Sequence, residues 1–302
     1  MRNKSISSSE DEKGQIKQPI AFVTGTSSGF GLLSSVALAQ NGYYVVATMR
    51  NVEKKGELMA RAKEAGVNHS IEVVQLDVTC FDQAEAVVHA IGEKLGRIDL
   101  LLNNAGYGSG GFVEDVPLSD WQQIMDTNVL GLVAVTKAVI PYMREQKKGL
   151  IINMSSISGL FGSPVLSPYV SSKFAVEGFS ESLRFELLPY GIYTVLVEPG
   201  SYQTEIWSKA LNTLSSEGKS SAYANEMERM VGHVSEIARQ APPPHEVIEL
   251  IIKITKKKKP ALRYPVGKGV KSFSLLKKIL PWSVIERIVM AQLKQIFGRK
   301  NV

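Results

Sequence analysis

The chain has 302 residues, and its 44% hydrophobic content is enough to bury a sizeable core and excludes global disorder. A single cysteine, Cys80, excludes an intrachain disulfide, and the four histidines, His69, His89, His233 and His245, show no ligand spacing, so no metal site is expected. The net charge of +6 is uneven: residues 253–302 carry 14 Lys/Arg and one acid, Glu286, while the rest carries 21 bases and 28 acids, which argues against nucleic-acid binding by the main body.

Residues 1–17 are polar, lack the apolar centre of a signal peptide and read as a disordered tail. Short β-branched runs at 20–24, 43–49, 71–77, 98–103, 150–155 and 193–198 read as strands, with a last short strand at 262–266. They are nearly continuous apolar runs, as parallel strands covered on both faces require. Helical patterns lie between them at 30–41, 53–65, 82–95, 118–146 and 169–190. This alternation predicts an α/β fold, a doubly wound (Rossmann) parallel sheet of about seven strands with helices on both faces. Residues 18–266 then form one domain.

After Pro199 the rhythm breaks. Residues 201–240 are polar and partly helical, with no clear strand. A helix follows at 245–255, and 272–297 is helical with Pro281 opening its second part. Residues 267–302 form a basic amphipathic extension. Ile285, Ile288, Val289, Leu293 and Ile296 share one face, with Lys278, Arg287, Lys294 and Arg299 around it. Such a helix either packs on the domain or a second subunit, the reading we favour, or lies on an anionic membrane surface. No run of about 18 uninterrupted apolar residues occurs, so no membrane span is expected. The expected location is cytoplasmic, with peripheral membrane contact through the extension as the variant.

Thr24-Gly25-Thr26-Ser27-Ser28-Gly29-Phe30-Gly31 follows the first strand and opens the first helix. Glycines there permit a tight turn, and the helix N-terminus offers unpaired N–H groups to a pyrophosphate. The candidate cradle residues are Gly25, Ser27, Ser28, Gly29, Phe30 and Gly31. This G-x-x-x-G-x-G spacing occurs with Asn103-Asn104-Ala105-Gly106, Asn128, Ser156 and Tyr169-x-x-x-Lys173. Together these motifs resemble the classical short-chain dehydrogenase/reductase family, from about residue 19 to 266, which implies that 18–266 is a dinucleotide-binding and catalytic domain with 201–240 as a lid over the substrate. Ala47-Thr48-Met49-Arg50, Leu262-Arg263-Tyr264 and the extended tail resemble the branch containing 17β-hydroxysteroid dehydrogenase type 1 and related retinol and lipid-ketone reductases.

The end of the second strand faces the adenosine ribose in such folds, where an acid suits NAD and an arginine the 2′-phosphate of NADP. Arg50 stands there, so NADP(H) is the expected cofactor. The resemblance implies further cofactor contacts at Asp77, Val78, Asn104, Ala105, Gly106, Pro199, Gly200 and Thr204; Tyr202 departs from the usual smaller residue. Asp77 reads equally as a cap on the following turn.

Tyr169 and Lys173 are four apart and project from one helix face, with Ser167 as a candidate cap. A free phenol titrates near pH 10, and a nearby ammonium lowers that value. The resemblance makes Tyr169 the proton donor, Lys173 its partner and a ribose ligand, Ser156 rather than Ser155 the substrate-orienting hydroxyl, and Asn128 the residue that positions Lys173 through water. The expected substrate is a small hydrophobic carbonyl or alcohol, with Leu160, Val165, Leu166, Tyr202, Ile206 and Trp207 as candidate walls. Homo-oligomerisation is implied through the 118–146 and 169–190 helices. A catalytically silent NADP-binding or membrane-associated scaffold module is the alternative.

Overall fold

The computed structural model describes residues 16–205 and 222–297. Strands β1 (Ile20–Thr24), β2 (Tyr44–Met49), β3 (Ile71–Gln75), β4 (Leu100–Asn103), β5 (Gly149–Met154), β6 (Ile192–Pro199) and β7 (Arg263–Val266) form a parallel sheet. Among the described residues it has seven strands, in the order β3-β2-β1-β4-β5-β6-β7. The winding reverses between β1 and β4, and that crevice, at the carboxyl ends of the strands, is where such sheets place a ligand.

Alternate residues of each strand enter opposite cores. Val23, Ala47, Leu102 and Val197 pack beneath α1 (Gly29–Gln40) and α8 (His245–Thr255). Phe22, Val46, Leu101 and Ile151 pack against α3 (Phe81–Leu95), α5 (Gly131–Glu145) and α6 (Ser167–Leu187). The expected helix at 53–65 is a 3₁₀ turn, Val52–Lys55, followed by α2 (Gly56–Glu64).

The expected helix at 118–146 is continuous, but α4 (Leu118–Met125) joins α5 through a π-helical turn, Asp126–Leu130, which carries Asn128. Leu118–Glu145 is long and apolar enough to cross a membrane by length and composition. Its Leu132, Val135, Val139 and Met143 are instead buried in the domain, as in a core helix. Ser167 does not cap α6. It is the first helical residue, Leu166 holds the cap position, and Pro168 occupies the first turn, where its missing N–H costs nothing.

The C-terminal extension is two helices, α9 (Val270–Ile279) and α10 (Trp282–Phe297), broken before Pro281, where ring geometry disfavours helix in the preceding residue. The apolar face of α10 is occupied by the domain: Leu293, Ile296 and Phe297 pack on Val165 and on Met227, Met230 and Val234 of α7 (Ala224–Gln240). Arg229 also donates to the Phe297 carbonyl at 2.5 Å. At the other end, Phe273 meets Phe161 edge-on at 4.8 Å and the Lys277 ammonium lies 4.9 Å from the Phe174 ring. Packing on the domain is thus what the extension does with most of that face; Ile288 alone among its five named apolar residues is exposed. Arg299 lies outside the described residues. Deleting residues 271–302 would expose the α7 cluster and is expected to lower Tm by roughly 5 °C or more in a thermal melt.

Candidate active site

The turn after β1 is built by side chains reaching across the crevice. The Thr24 hydroxyl accepts the backbone N–H groups of Asn104 and Ala105, each at 3.0 Å. The Asn104 side-chain amide returns two bonds, to the Thr24 carbonyl at 3.0 Å and the Gly25 carbonyl at 2.9 Å. Gly25 has φ +70°, and a Cβ there would lie 2.7 Å from the Ala105 Cα. Its replacement by alanine therefore has to spread the two loops. We expect Gly25→Ala to weaken dinucleotide binding by at least tenfold, read by titration of cofactor fluorescence.

The turn delivers the start of α1 to the crevice with no acidic residue in its first turn, and the Ser28 side chain makes no capping bond. That donor set suits an anion at the helix N-terminus. Thr204 comes over the cradle, with its Cβ 3.6 Å from where a Gly29 Cβ would stand. Arg50 is exposed just beyond β2, and its charge reaches Tyr107 at the crevice wall. The residues present thus fit a dinucleotide with its phosphates on the cradle.

Asp77 accepts from the Thr79 N–H at 3.0 Å and hydroxyl at 2.7 Å, which fulfils the turn-capping reading. Val78 points its side chain into the core beside Gly131. Pro199 and Gly200 are held at the sheet by the bond from Gly200 N–H to the Val266 carbonyl at 2.9 Å. Tyr202 is not a pocket wall. It is 2% exposed, packs edge-on against Phe30 at 6.0 Å and donates to Glu246 at 2.6 Å. Its size, unusual for this position, serves as a strut from the cradle to α8.

At the end of β5, consecutive serines face opposite ways, as strand alternation dictates. Ser155 turns into the core and donates to Glu177. Ser156 faces Tyr169 and hydrogen-bonds its phenol, and its hydroxyl also accepts the Ser158 N–H at 3.1 Å. Lys173 is 7% exposed, donates to the Met154 carbonyl at 2.8 Å, and stands 5.7 Å from the centre of the Tyr169 ring. Ser156, Tyr169 and Lys173 therefore meet at the carboxyl end of β5.

Among the described residues Asn128 makes no direct hydrogen bond to Lys173. Its side chain clasps the Tyr107 backbone through both amide atoms at 3.0 Å and donates to the Ser172 hydroxyl at 3.0 Å. Ser172 in turn donates to the Tyr169 carbonyl at 2.7 Å. Ser172 was missed in the sequence, since a serine beside a lysine on a helix carries no signal of its own.

Desolvation lowers the Lys173 pKa to about 8, with the Glu177 charge opposing the fall. Tyr169 departs from the expected lowering. Desolvation pushes its phenol above the usual value, and the Ser156 bond only partly offsets this.

Above the site, Val165 is buried under α7 and adopts φ +57°, a strained conformation for a β-branched residue. Its carbonyl accepts the Gly111 N–H at 2.7 Å, closing the loop against α6. Phe112 stacks on Tyr223 at 4.2 Å, tying the start of α7 to that loop. Leu160 receives Lys277 on its carbonyl. Residues 206–221, part of the expected lid and holding the wall candidates Ile206 and Trp207, lie outside the described residues.

Residues 19–215 match a family model described as short chain dehydrogenase. The chain is 47% identical over 283 residues to the uncharacterized oxidoreductase YusZ of Bacillus subtilis (strain 168), covering 92% of this chain and 99% of that one. It is 32% identical to 17-beta-hydroxysteroid dehydrogenase type 1 of Homo sapiens, covering 81% and 76% of the two chains. Among solved structures it resembles an actinorhodin polyketide ketoreductase variant with NADPH, at a TM-score of 0.71 and 30% identity, over 84% of this chain and 97% of the other.

Proposed function

We propose, from the premise that this chain belongs to the oxidoreductases of the short-chain dehydrogenase family, that it is an NADPH-dependent reductase of hydrophobic carbonyl compounds. The observation that carries this reading is the meeting of Ser156, Tyr169 and Lys173 at the carboxyl end of β5, the same end of the sheet as the glycine turn. The cradle residues Gly25, Ser27, Ser28, Gly29, Phe30 and Gly31 would hold the pyrophosphate. Arg50 would take the 2′-phosphate through its paired N–H donors. Thr204 and the backbone at Pro199 and Gly200 would hold the nicotinamide end. NADPH in the similar ketoreductase structure supports the cofactor class.

When bound, the nicotinamide supplies hydride to the carbonyl carbon. The chain's own residues handle the proton and the geometry. Ser156 donates to the carbonyl oxygen and holds it beside Tyr169. Tyr169 gives that oxygen its proton, and its raised pKa keeps the proton in place near neutral pH. Lys173, protonated below about pH 8, stabilises the resulting phenolate and the ribose hydroxyls. Asn128 ties α6 to the Tyr107 loop through Ser172, which holds the Tyr169 backbone in place.

The similarity to a human 17-beta-hydroxysteroid dehydrogenase supports a lipophilic substrate. A silent binding module fits less well, because burying a lysine with a strongly lowered pKa is unfavourable and gives a mere scaffold nothing. The test is turnover with NADPH or NADH against a panel of hydrophobic ketones, aldehydes and retinoids. Reduction with NADPH supports the reading; inertness of the whole panel shifts it to the silent module. Because Lys173 must keep its proton, kcat/KM for reduction is expected to fall as pH rises through about 8.

Self-association falls to the exposed apolar residues of α4 to α6, among them Leu118, Leu130 and Phe185. Any membrane contact falls to the exposed edge at Leu275, Ile279 and Trp282 rather than to the packed face of α10. Gel filtration and liposome flotation check these two.

A further inference from the structure

Behind Lys173 lies a cluster of charges that the chemistry above does not use. Glu177 of α6 is 5% exposed and Glu198 of β6 is 1% exposed. Two carboxylates so deep are tolerated only with partners. Arg263, which opens β7, supplies them: its Nη1 donates to Glu177 and, at 2.7 Å, to Glu198, and its Nη2 donates to Glu181 at 2.5 Å. On its other side Glu177 accepts the Ser155 hydroxyl. The fit is close. A Cβ on Gly159 would lie 2.6 Å from the Ser155 Oγ and 2.9 Å from the Glu177 Cγ.

The cluster grips the site at a particular link. Ser155 stands between Met154, whose carbonyl takes the Lys173 ammonium, and Ser156, which faces the phenol. Lys173 and Glu177 are four residues apart and share one face of α6. Both therefore dock on the same end of β5, one through Met154 and the other through Ser155.

We propose that Glu177 is a positioning residue: clamped between Ser155 and Arg263, its carboxylate fixes the end of β5 and holds the Lys173 charge, keeping Ser156, Tyr169 and Lys173 in register. The inference rests on the reading of those three as the catalytic group. The charged and titratable groups that bear on the pair are Tyr169 and Glu181 on α6, Glu198 on β6 and Arg263 on β7. Desolvation, the first cause, raises the Glu177 pKa, while the Ser155 bond and the Arg263 charge oppose it and favour the carboxylate. The Glu177 charge in turn opposes the desolvation of Lys173.

The experiment uses the full chain labelled with ¹³C-lysine. The Lys173 ε-methylene signal, identified by its loss in Lys173→Arg, is titrated by NMR in the wild type and in Glu177→Gln, and the pH profile of kcat/KM is recorded in parallel. Removing the negative charge is expected to drop the Lys173 midpoint by about one pH unit or more, and to move the alkaline limb of the profile by the same amount. Ser155→Ala removes only the hydroxyl bond and leaves Arg263 paired; it is expected to move both readouts the same way by less, and it stands if the glutamine variant does not fold. An unchanged Lys173 midpoint in a folded variant overturns the hold on the lysine. A shifted midpoint with an unmoved alkaline limb overturns the role in positioning. If the wild type reduces nothing, the catalytic reading falls, and the NMR arm still decides whether Glu177 holds Lys173.

Discussion

Tyr169→Phe is expected to lower kcat by about 10²–10⁴-fold while NADPH still binds, because it deletes the proton donor and little else. The phenol oxygen's hydrogen bond at the site is to Ser156, and the ring keeps its place on α6 beside Lys173. The backbone geometry is set elsewhere, by Ser172 on the Tyr169 carbonyl and by Asn128 on Ser172. Phenylalanine should therefore leave Tm within about 2 °C of wild type and the NADPH dissociation constant within about twofold. A fall in kcat accompanied by an equal loss of cofactor binding would mean that the hydroxyl serves the fold of the site and not the proton transfer.

Arg50→Ala carries the second large effect. The guanidinium is exposed at the end of β2 and its side chain takes no part in the described hydrogen-bond pattern, where only its carbonyl accepts from Gln75. Its removal should cost the fold little. A charge-assisted bond to phosphate contributes on the order of 1.5–3 kcal/mol, so KM for NADPH should rise by roughly 10- to 100-fold. NADH lacks the 2′-phosphate, and its KM should change by less than threefold. Initial rates with both cofactors decide this, and parallel losses for the two would remove Arg50 from 2′-phosphate recognition.

Much of the fold was legible because buried parallel strands leave uninterrupted apolar runs. The strand expected at 71–77 ends at Gln75 only because Asp77 leaves the ladder for its own turn. The helix at 245–255 coincides with α8, where Pro244 precedes it and the lysines begin as it ends. The cap of α6 was misread because Ser167 and Pro168 together look like a start signal, while the loop from Val165 decides where the helix begins. The break of the extension at Pro281 was legible, but the partner of α10 was not: nothing local in Leu293 or Ile296 says that α7 covers them.

The site divides in the same way. Tyr169 and Lys173 announce themselves through spacing on one helix, and the glycine turn through its place between strand and helix. The choice between Ser155 and Ser156 needed the family pattern in the sequence and is visible in the structure as opposite directions from one strand end. Thr24, Asn104 and Ser172 act through backbone partners up to 81 residues away, and such bonds leave no periodic trace. The sign of the Tyr169 shift was misjudged for a related reason. Spacing reveals the neighbouring lysine, while the desolvation that raises the phenol belongs to the packed fold.

The central claim is tested most directly by following the hydride itself. Wild-type protein is supplied with NADPH deuterated at the nicotinamide C4 and with the hydrophobic ketone that the panel ranks first, and the product alcohol is examined by mass spectrometry and NMR. The account predicts one deuterium on the former carbonyl carbon, in a single configuration, with Tyr169→Phe forming almost none. A product without that deuterium, or no product from any ketone although NADPH binds tightly, would contradict it.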